Sequence, residues 1–206
     1  MVPKEMNSAL ETRADETRQR IFDMTLELVE TVDFEQLTVR RIAEYSGVSP
    51  ALIIQYFGSK DKLFRLIFET RNHALLKTLE DQLENRPRKD IEEKLVHVSE
   101  LLLKRDQETP RLTLNTMSNA FQWGREEEAE FRTRLEPFLA LISKCIMKCE
   151  PKLSEDKART ATMTFFMCYS QAARIVLQHE MSREQAMTFL EPHIRLIADG
   201  IRAQAA

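Results

Sequence analysis

The chain has 206 residues, 43% of them apolar and 31% charged, with a formal net charge of −3. That balance suits one or two globular domains with a real core, and it argues against a chain-wide polycation, a disulfide framework or a disordered tail protein. The three cysteines are expected as buried, reduced thiols, Cys145 and Cys149 being weak evidence for a metal without a nearby histidine. No apolar leader opens the sequence, and the longest apolar patch, residues 163–169, is far too short to span a bilayer. A cytoplasmic chain with no membrane association is therefore expected.

Four glycines and little β-type alternation predict helix throughout, about nine helices in an all-α chain. Residues 1–15 are polar and read as a loose arm. A first helix is predicted from about Glu16 to Val32, with Ile21, Met24, Leu28 and Val32 as its inward stripe. After a short turn, Thr38 caps a second helix over residues 40–45, and Gly47 supplies the positive φ that a tight interhelical turn needs. Ser49 caps a third helix with Pro50 at its first position, where a missing N–H costs nothing. Ile42, Val48, Ile53 and Phe57 are spaced to point inward, and small Ala43 stands where two steeply crossed helices touch. This is helix-turn-helix geometry, whose use is to lay the second helix in a DNA major groove. Between residues 36 and 66, five basic residues (Arg40, Arg41, Lys60, Lys62, Arg65) outnumber two acidic ones (Glu44, Asp61), so a positive field is local to this segment.

The segment TVRRIAEYSGVSPALIIQYFGSK, with RQRIFDMTLELVETVDFEQLTV before it and KDKLFRLIF after it, closely resembles the DNA-binding domain of the TetR family of transcriptional regulators. The resemblance runs from about Thr17 to Phe68 and implies a DNA-binding domain over residues 1–68. The sequence departs from the usual family pattern at Ile54, where tyrosine is common, and at Tyr56, where histidine is common. Phosphate contacts are expected from Thr38, Arg40, Tyr56 and Lys60, two of which stand at helix starts where amides favour an anion. The groove-facing residues are expected to be Ser49, Pro50, Ala51, Leu52, Ile54 and Gln55. Gln55 is the long polar one, able to pair twice with adenine, while Leu52 and Ile54 suit thymine methyls. Arg13, Arg18 and Arg20 stand equally well as arm contacts to DNA or as solvated side chains.

A fourth helix is predicted from Ser59 to about Leu83, with Leu63, Leu66, Ile67, Leu75 and Leu79 inward. Residues 84–89 read as a loop. Asp90 and Glu93 are spaced as a capping box for a fifth helix to Arg105. Pro110 opens a sixth that ends at Trp123-Gly124, and a seventh runs from Glu126 to Cys149, with Pro137 expected to kink or restart it. Ser154 caps an eighth helix to Gln178, and Ser182 with Gln185 opens a ninth to about Arg202.

The last two helices carry two apolar stripes each. In the eighth these are Ala161, Phe165, Cys168, Ala172 and Ile175, then Met163, Met167, Ser170, Arg174 and Leu177. In the ninth they are Leu190, Ile194, Ile197 and Ile201, then Phe189, His193, Leu196 and Gly200. A surface helix needs one apolar face, so two predict burial on both sides, inside a large bundle or at a subunit interface, the second being favoured because a terminal helix is seldom central to a monomer. The resemblance implies the same: a homodimer through helices near 156–178 and 183–202, reading a palindromic double-stranded DNA operator. It further implies that residues 69–206 form an effector-binding and dimerisation domain, with a small-molecule effector releasing a repressor. Phe121, Trp123, Met163, Phe166 and Met167 are the candidate ligand contacts, and plain core is the competing reading of each; His73 reads first as a solvated histidine. No enzyme and no cofactor is expected: no Glu-x-x-His pair recurs, and no serine elbow or glycine-rich phosphate loop is present. The rival reading is a helical protein–protein adaptor that does not bind DNA.

Overall fold

The computed structural model describes residues 4–33, 36–85, 90–119 and 123–205. Regular structure among them is helical: α1 (Lys4–Thr31), α2 (Val39–Ser46), α3 (Pro50–Phe57), α4 (Lys60–Asn85), α5 (Ile91–Glu108), α6 (Pro110–Asn119), α7 (Arg125–Cys149), α8 (Glu155–Gln178) and α9 (Arg183–Ala205). The all-α expectation holds. Helix α1 starts at Lys4 rather than near Glu16, so residues 4–15 are helical and not a loose arm. The segment holds good helix formers and no glycine or proline between residues 4 and 31, so nothing in it stops the helix.

The chain divides into two compact units, Met1–Thr70 and Arg71–Ala206. In the first, the head, α1 buries Ile21, Thr25, Leu28 and Val29, α2 buries Ile42 and Ala43, α3 buries Ile53 and Phe57, and α4 buries Leu63, Phe64 and Ile67. The α1 stripe is rotated from the expected one, because Met24 and Val32 are only half-buried while Thr25 and Val29 are core. Thr25 is tolerated there because its hydroxyl donates to the carbonyl of Ile21 at 2.6 Å. Val48 is likewise half-buried rather than core.

In the second unit, the body, α5, α7, α8 and α9 share one hydrophobic core that includes Leu95, Leu102, Ile142, Ile146, Phe165, Val176, Leu190 and Ile194. A buried carboxylate ties its helices together. Asp106, 0% exposed, accepts from the hydroxyl of Tyr169 at 2.8 Å and from Arg105 at 2.5 Å. Arg105 also donates to Asn72 on α4, and Arg71 bonds Glu108 at 3.0 Å. Burial and the Asp106 charge hold the Tyr169 hydroxyl well above its ordinary pKa, so it stays a donor. The predicted capping box of α9 is complete, Ser182 and Gln185 each bonding the other's backbone N–H. Helix α7 passes through Pro137 without restarting, and α9 also contains a proline, Pro192.

Candidate nucleic-acid interface

Two caps and one turn set the orientation of α3. The Thr38 hydroxyl accepts from the Arg41 N–H at 3.2 Å and fixes the start of α2. Gly47 ends that helix at φ 64°, a left-handed conformation that a Cβ would strain, and the Val48 N–H returns to the Ala43 carbonyl at 2.9 Å. The Ser49 hydroxyl then accepts from Leu52 N–H at 3.2 Å, with Pro50 opening α3. Gly58, φ 78°, ends α3, and Ser59 caps α4 by accepting from the Lys62 N–H at 3.1 Å.

Anchored in this way, α3 has one inner and one outer side. Ile53 and Phe57 are buried, at 0% and 7% exposure. Ser49, Pro50, Ala51, Ile54 and Gln55 are exposed, and Leu52 and Tyr56 are half-buried. Ile54 at 46% exposure is a large apolar side chain turned to water on a helix of eight residues. Thr38 and Arg40 are exposed beside this side at the start of α2, and Lys60 is half-buried at the start of α4, its ammonium 5.9 Å from the Phe64 ring centre. Arg18 lies over the Phe57 ring at 5.7 Å, which gives it a packing role in the head. Tyr45 on α2, 50% exposed, is an outward aromatic that the sequence reading did not single out. A Tyr at the end of α2, two residues before Gly47, was a signal available in the sequence.

The candidate effector residues are more scattered. Phe121 lies outside the described residues. Trp123 meets the Phe131 ring at a tilt, centroids 4.9 Å apart, and Phe166 meets Phe138 edge-on at 6.2 Å. Met163 and Met167 are 42% and 63% exposed on the outer side of α8. An open depression of about 550 Å³ lies at the start of α5, lined by Asp90, Glu92, Glu93 and Val96, and none of the five candidates lines it. Arg202 spans this region, bonding Asp90 at 2.7 Å and Asp199 at 2.7 Å, and it holds the Asp90 carboxyl below its usual range. The outer stripe of α9 is open as well: Leu196 is 74% exposed, and a Cβ added at Gly200 would meet nothing within 4 Å. In α8 Phe165 and Ala172 are buried as expected, but Ala161, Cys168 and Ile175 are half-buried, and Tyr169, Ala173, Val176 and Leu177 complete the buried side.

A helix-turn-helix head with an outward second helix, flanked by Arg40 and Lys60, and an all-helical body define a class, the DNA-binding transcription regulators. Residues 21–67 match the family described as bacterial regulatory proteins, tetR family. The match covers the head, which is therefore that of a tetR-family regulatory protein. The chain is 25% identical over 207 residues to the nucleoid occlusion factor SlmA of Haemophilus influenzae, covering 93% of each chain. Its fold is that of the fatty acid degradation regulator FadR from Bacillus halodurans, with a TM-score of 0.73 at 19% identity over 90% of this chain and 96% of that one. The transcriptional regulator FadR from Bacillus subtilis, solved in complex with stearoyl-CoA, superposes with a TM-score of 0.71 at 17% identity over 88% and 98% of the two chains. Among the described residues no helix is long and apolar enough to cross a membrane.

Proposed function

We propose that this regulator is a homodimeric repressor that reads a palindromic operator with the outer side of α3 and is released by a small-molecule effector. The observation that supports the reading most strongly is the split of α3 itself. Ile53 and Phe57 are locked into the head, while Ser49, Pro50, Ala51, Ile54 and Gln55 are left at the surface with no internal use. Base contacts come from Gln55 through its amide and from Leu52 and Ile54 through apolar contact with thymine methyls. Thr38, Arg40, Tyr56 and Lys60 position the head on phosphates, with Ser49, Pro50 and Ala51 bringing the start of α3 close to the groove.

The dimer forms through the outer stripe of α8 and α9. Met163, Met167 and Leu196 are large apolar side chains at high exposure, which a lone body does not need. Gly200 costs a helix about 1 kcal/mol relative to alanine and occupies open space in one chain, so its use is the close approach of a second. A two-fold pair of heads addresses half-sites about one helical turn apart, roughly 34–36 Å. Met163 and Met167 then serve the interface, and Trp123, Phe166 and Phe121 remain the ligand candidates. The FadR complex with stearoyl-CoA supports acyl thioesters as the first effector class to screen.

Selection of bound duplexes from a random pool tests the reading. A palindromic consensus that the protein binds as a dimer, released by stearoyl-CoA or another screened acyl thioester, is the expected result. Bound sequences without two-fold symmetry contradict the dimeric operator. The similarity to SlmA across 93% of both chains favours one second reading, a nucleoid occlusion role. Transcripts beside the bound sites that change on deletion of the gene support a repressor, and unchanged transcripts support the second reading.

A further inference from the structure

The inward stripe of α1 runs on past the edge of the core. Ile21, Thr25 and Leu28 are buried in the head, and one turn before Ile21 the same side of the helix carries Arg18. Arg18 is exposed, yet its guanidinium has a fixed seat. The central carbon, Cζ, lies 5.7 Å from the ring centre of Phe57, the last residue of α3. Tyr56 meets the same ring edge-on, with centroids 6.3 Å apart, and Lys60 opens α4 just beyond it. Arg18, Tyr56 and Lys60 thus stand around the end of α3, while Thr38 and Arg40 stand at the start of α2.

A guanidinium laid over a ring uses its face and keeps its edge. The N–H fork lies in the plane of the group, so contact with a π face leaves those donors available to an oxyanion. Phosphate is an anion that the fork fits with two parallel bonds. Among the described residues the Phe57 ring is the partner of Arg18, and no carboxylate takes its donors. The other two arginines near the start of α1 do not share the seat. On an α-helix Arg20 lies about 200° round the axis from Arg18, and Arg13 about 140°.

We infer that Arg18 is a DNA-backbone contact, a guanidinium held over Phe57 to bond a phosphate beside the end of α3. The inference rests on the reading of α3 as the helix that enters the groove. Such a contact carries no base preference. It fixes the angle at which α3 enters by anchoring the end remote from the Ser49 cap. Its energy comes from neutralising one phosphate and releasing the counterion condensed there, so its signature is a salt dependence.

The test uses the full chain, with binding to the selected operator and to a random-sequence duplex followed by fluorescence anisotropy across a salt series. Arg18→Ala should weaken both duplexes alike and reduce the salt slope by about one. Between roughly 50 and 200 mM salt the parent should then lose about 3.5-fold more affinity than the variant. Arg18→Lys keeps the charge and should keep the slope, whereas Arg18→Gln keeps a long polar stem without charge and should behave as alanine does. Thermal melts show which variants fold; if Arg18→Ala does not, Arg18→Gln against Arg18→Lys decides. A folded Arg18→Ala or Arg18→Gln protein with the parent's slope, whatever its affinity, leaves Arg18 a packing residue and overturns the inference while α3 still reads DNA. A parent protein that binds neither duplex overturns the reading of α3 and this inference with it.

Discussion

Thr25 and Ser46, the buried polar side chains of the head, bond within their own helix or not at all; in the body Ser99 and Thr162 do the same, but Asp106 and His97 bond across helices. Thr25 uses the Ile21 carbonyl four residues back, and the Ser46 hydroxyl, at the end of α2, meets no partner among the described residues. In the body, Asp106 reaches Tyr169 63 positions away, and the His97 ring meets Gln82 at 2.7 Å. The head is therefore a hydrophobic knot whose shape is set by caps and a glycine turn. The body is specified by a few polar pairs that hold α4, α5 and α8 in one arrangement. A recognition head needs a fixed helix angle, which local turn chemistry supplies. A body that responds to a ligand needs discrete packings, and buried polar pairs are one way to define them.

Removing the Asp106 carboxylate should break this contrast most severely. Asp106→Ala strips the buried Tyr169 hydroxyl of its acceptor and Arg105 of its carboxylate partner, and the expected loss is about 3–5 kcal/mol in urea unfolding. Hydrogen exchange should locate that loss in α5 and α8 and leave α1–α3 protected. Ile53→Ala is its counterpart in the head. It removes a fully buried side chain at the crossing of α2 and α3 and should cost about 2–4 kcal/mol, with exchange rising in α1–α3. Tyr169→Phe deletes only the hydroxyl and should cost about 1–2 kcal/mol. It also carries a pH signature. The Tyr169 pKa is raised in the fold, so its contribution is complete below about pH 10, where the unfolded tyrosine is neutral too. Stability is then lost as pH rises past that value, because only the unfolded chain releases the proton. A thermal melt series from pH 9 to 11 should show a fall in the parent protein that Tyr169→Phe lessens.

The smallest effects should be gains. Ser46→Ala removes an unsatisfied buried hydroxyl and should add about 1 kcal/mol by urea midpoint. Glu180 sits at φ 49° in the turn between α8 and α9, and Glu180→Gly should relieve a few tenths to about 1 kcal/mol of strain. A loss of stability in either variant would show that its side chain has a role that the present geometry lacks.

The same contrast explains what was legible in the sequence. The head could be read almost residue by residue, because Thr38, Gly47, Ser49 and Pro50 act on backbone within three or four positions of themselves. The existence of the later helices followed from caps such as Ser154 and Ser182. Periodicity failed where two faces are apolar: in α8 it chose Cys168 and Ile175 over Tyr169 and Val176, since a 3.6-residue period does not say which of two stripes meets the core. The Asp106–Tyr169 pair was invisible because its partners are joined only by the tertiary fold. Glu127, one acid in a run of three, turns back to accept from the Gly124 N–H at 2.9 Å and caps α7, a role its neighbours in the run do not announce. Pro192 within α9 was passed over, since tertiary packing tolerates a proline that propensity alone would place at a helix end.

The most direct measurement is the affinity of Gln55→Ala and Lys60→Ala proteins for the selected operator and for a random duplex, each at several salt concentrations. Gln55→Ala should lose about 1–3 kcal/mol on the operator and little on random DNA. Lys60→Ala should weaken both alike and reduce the salt slope by about one. An equal loss on both duplexes for Gln55→Ala would contradict the assignment of α3 as the helix that reads the bases.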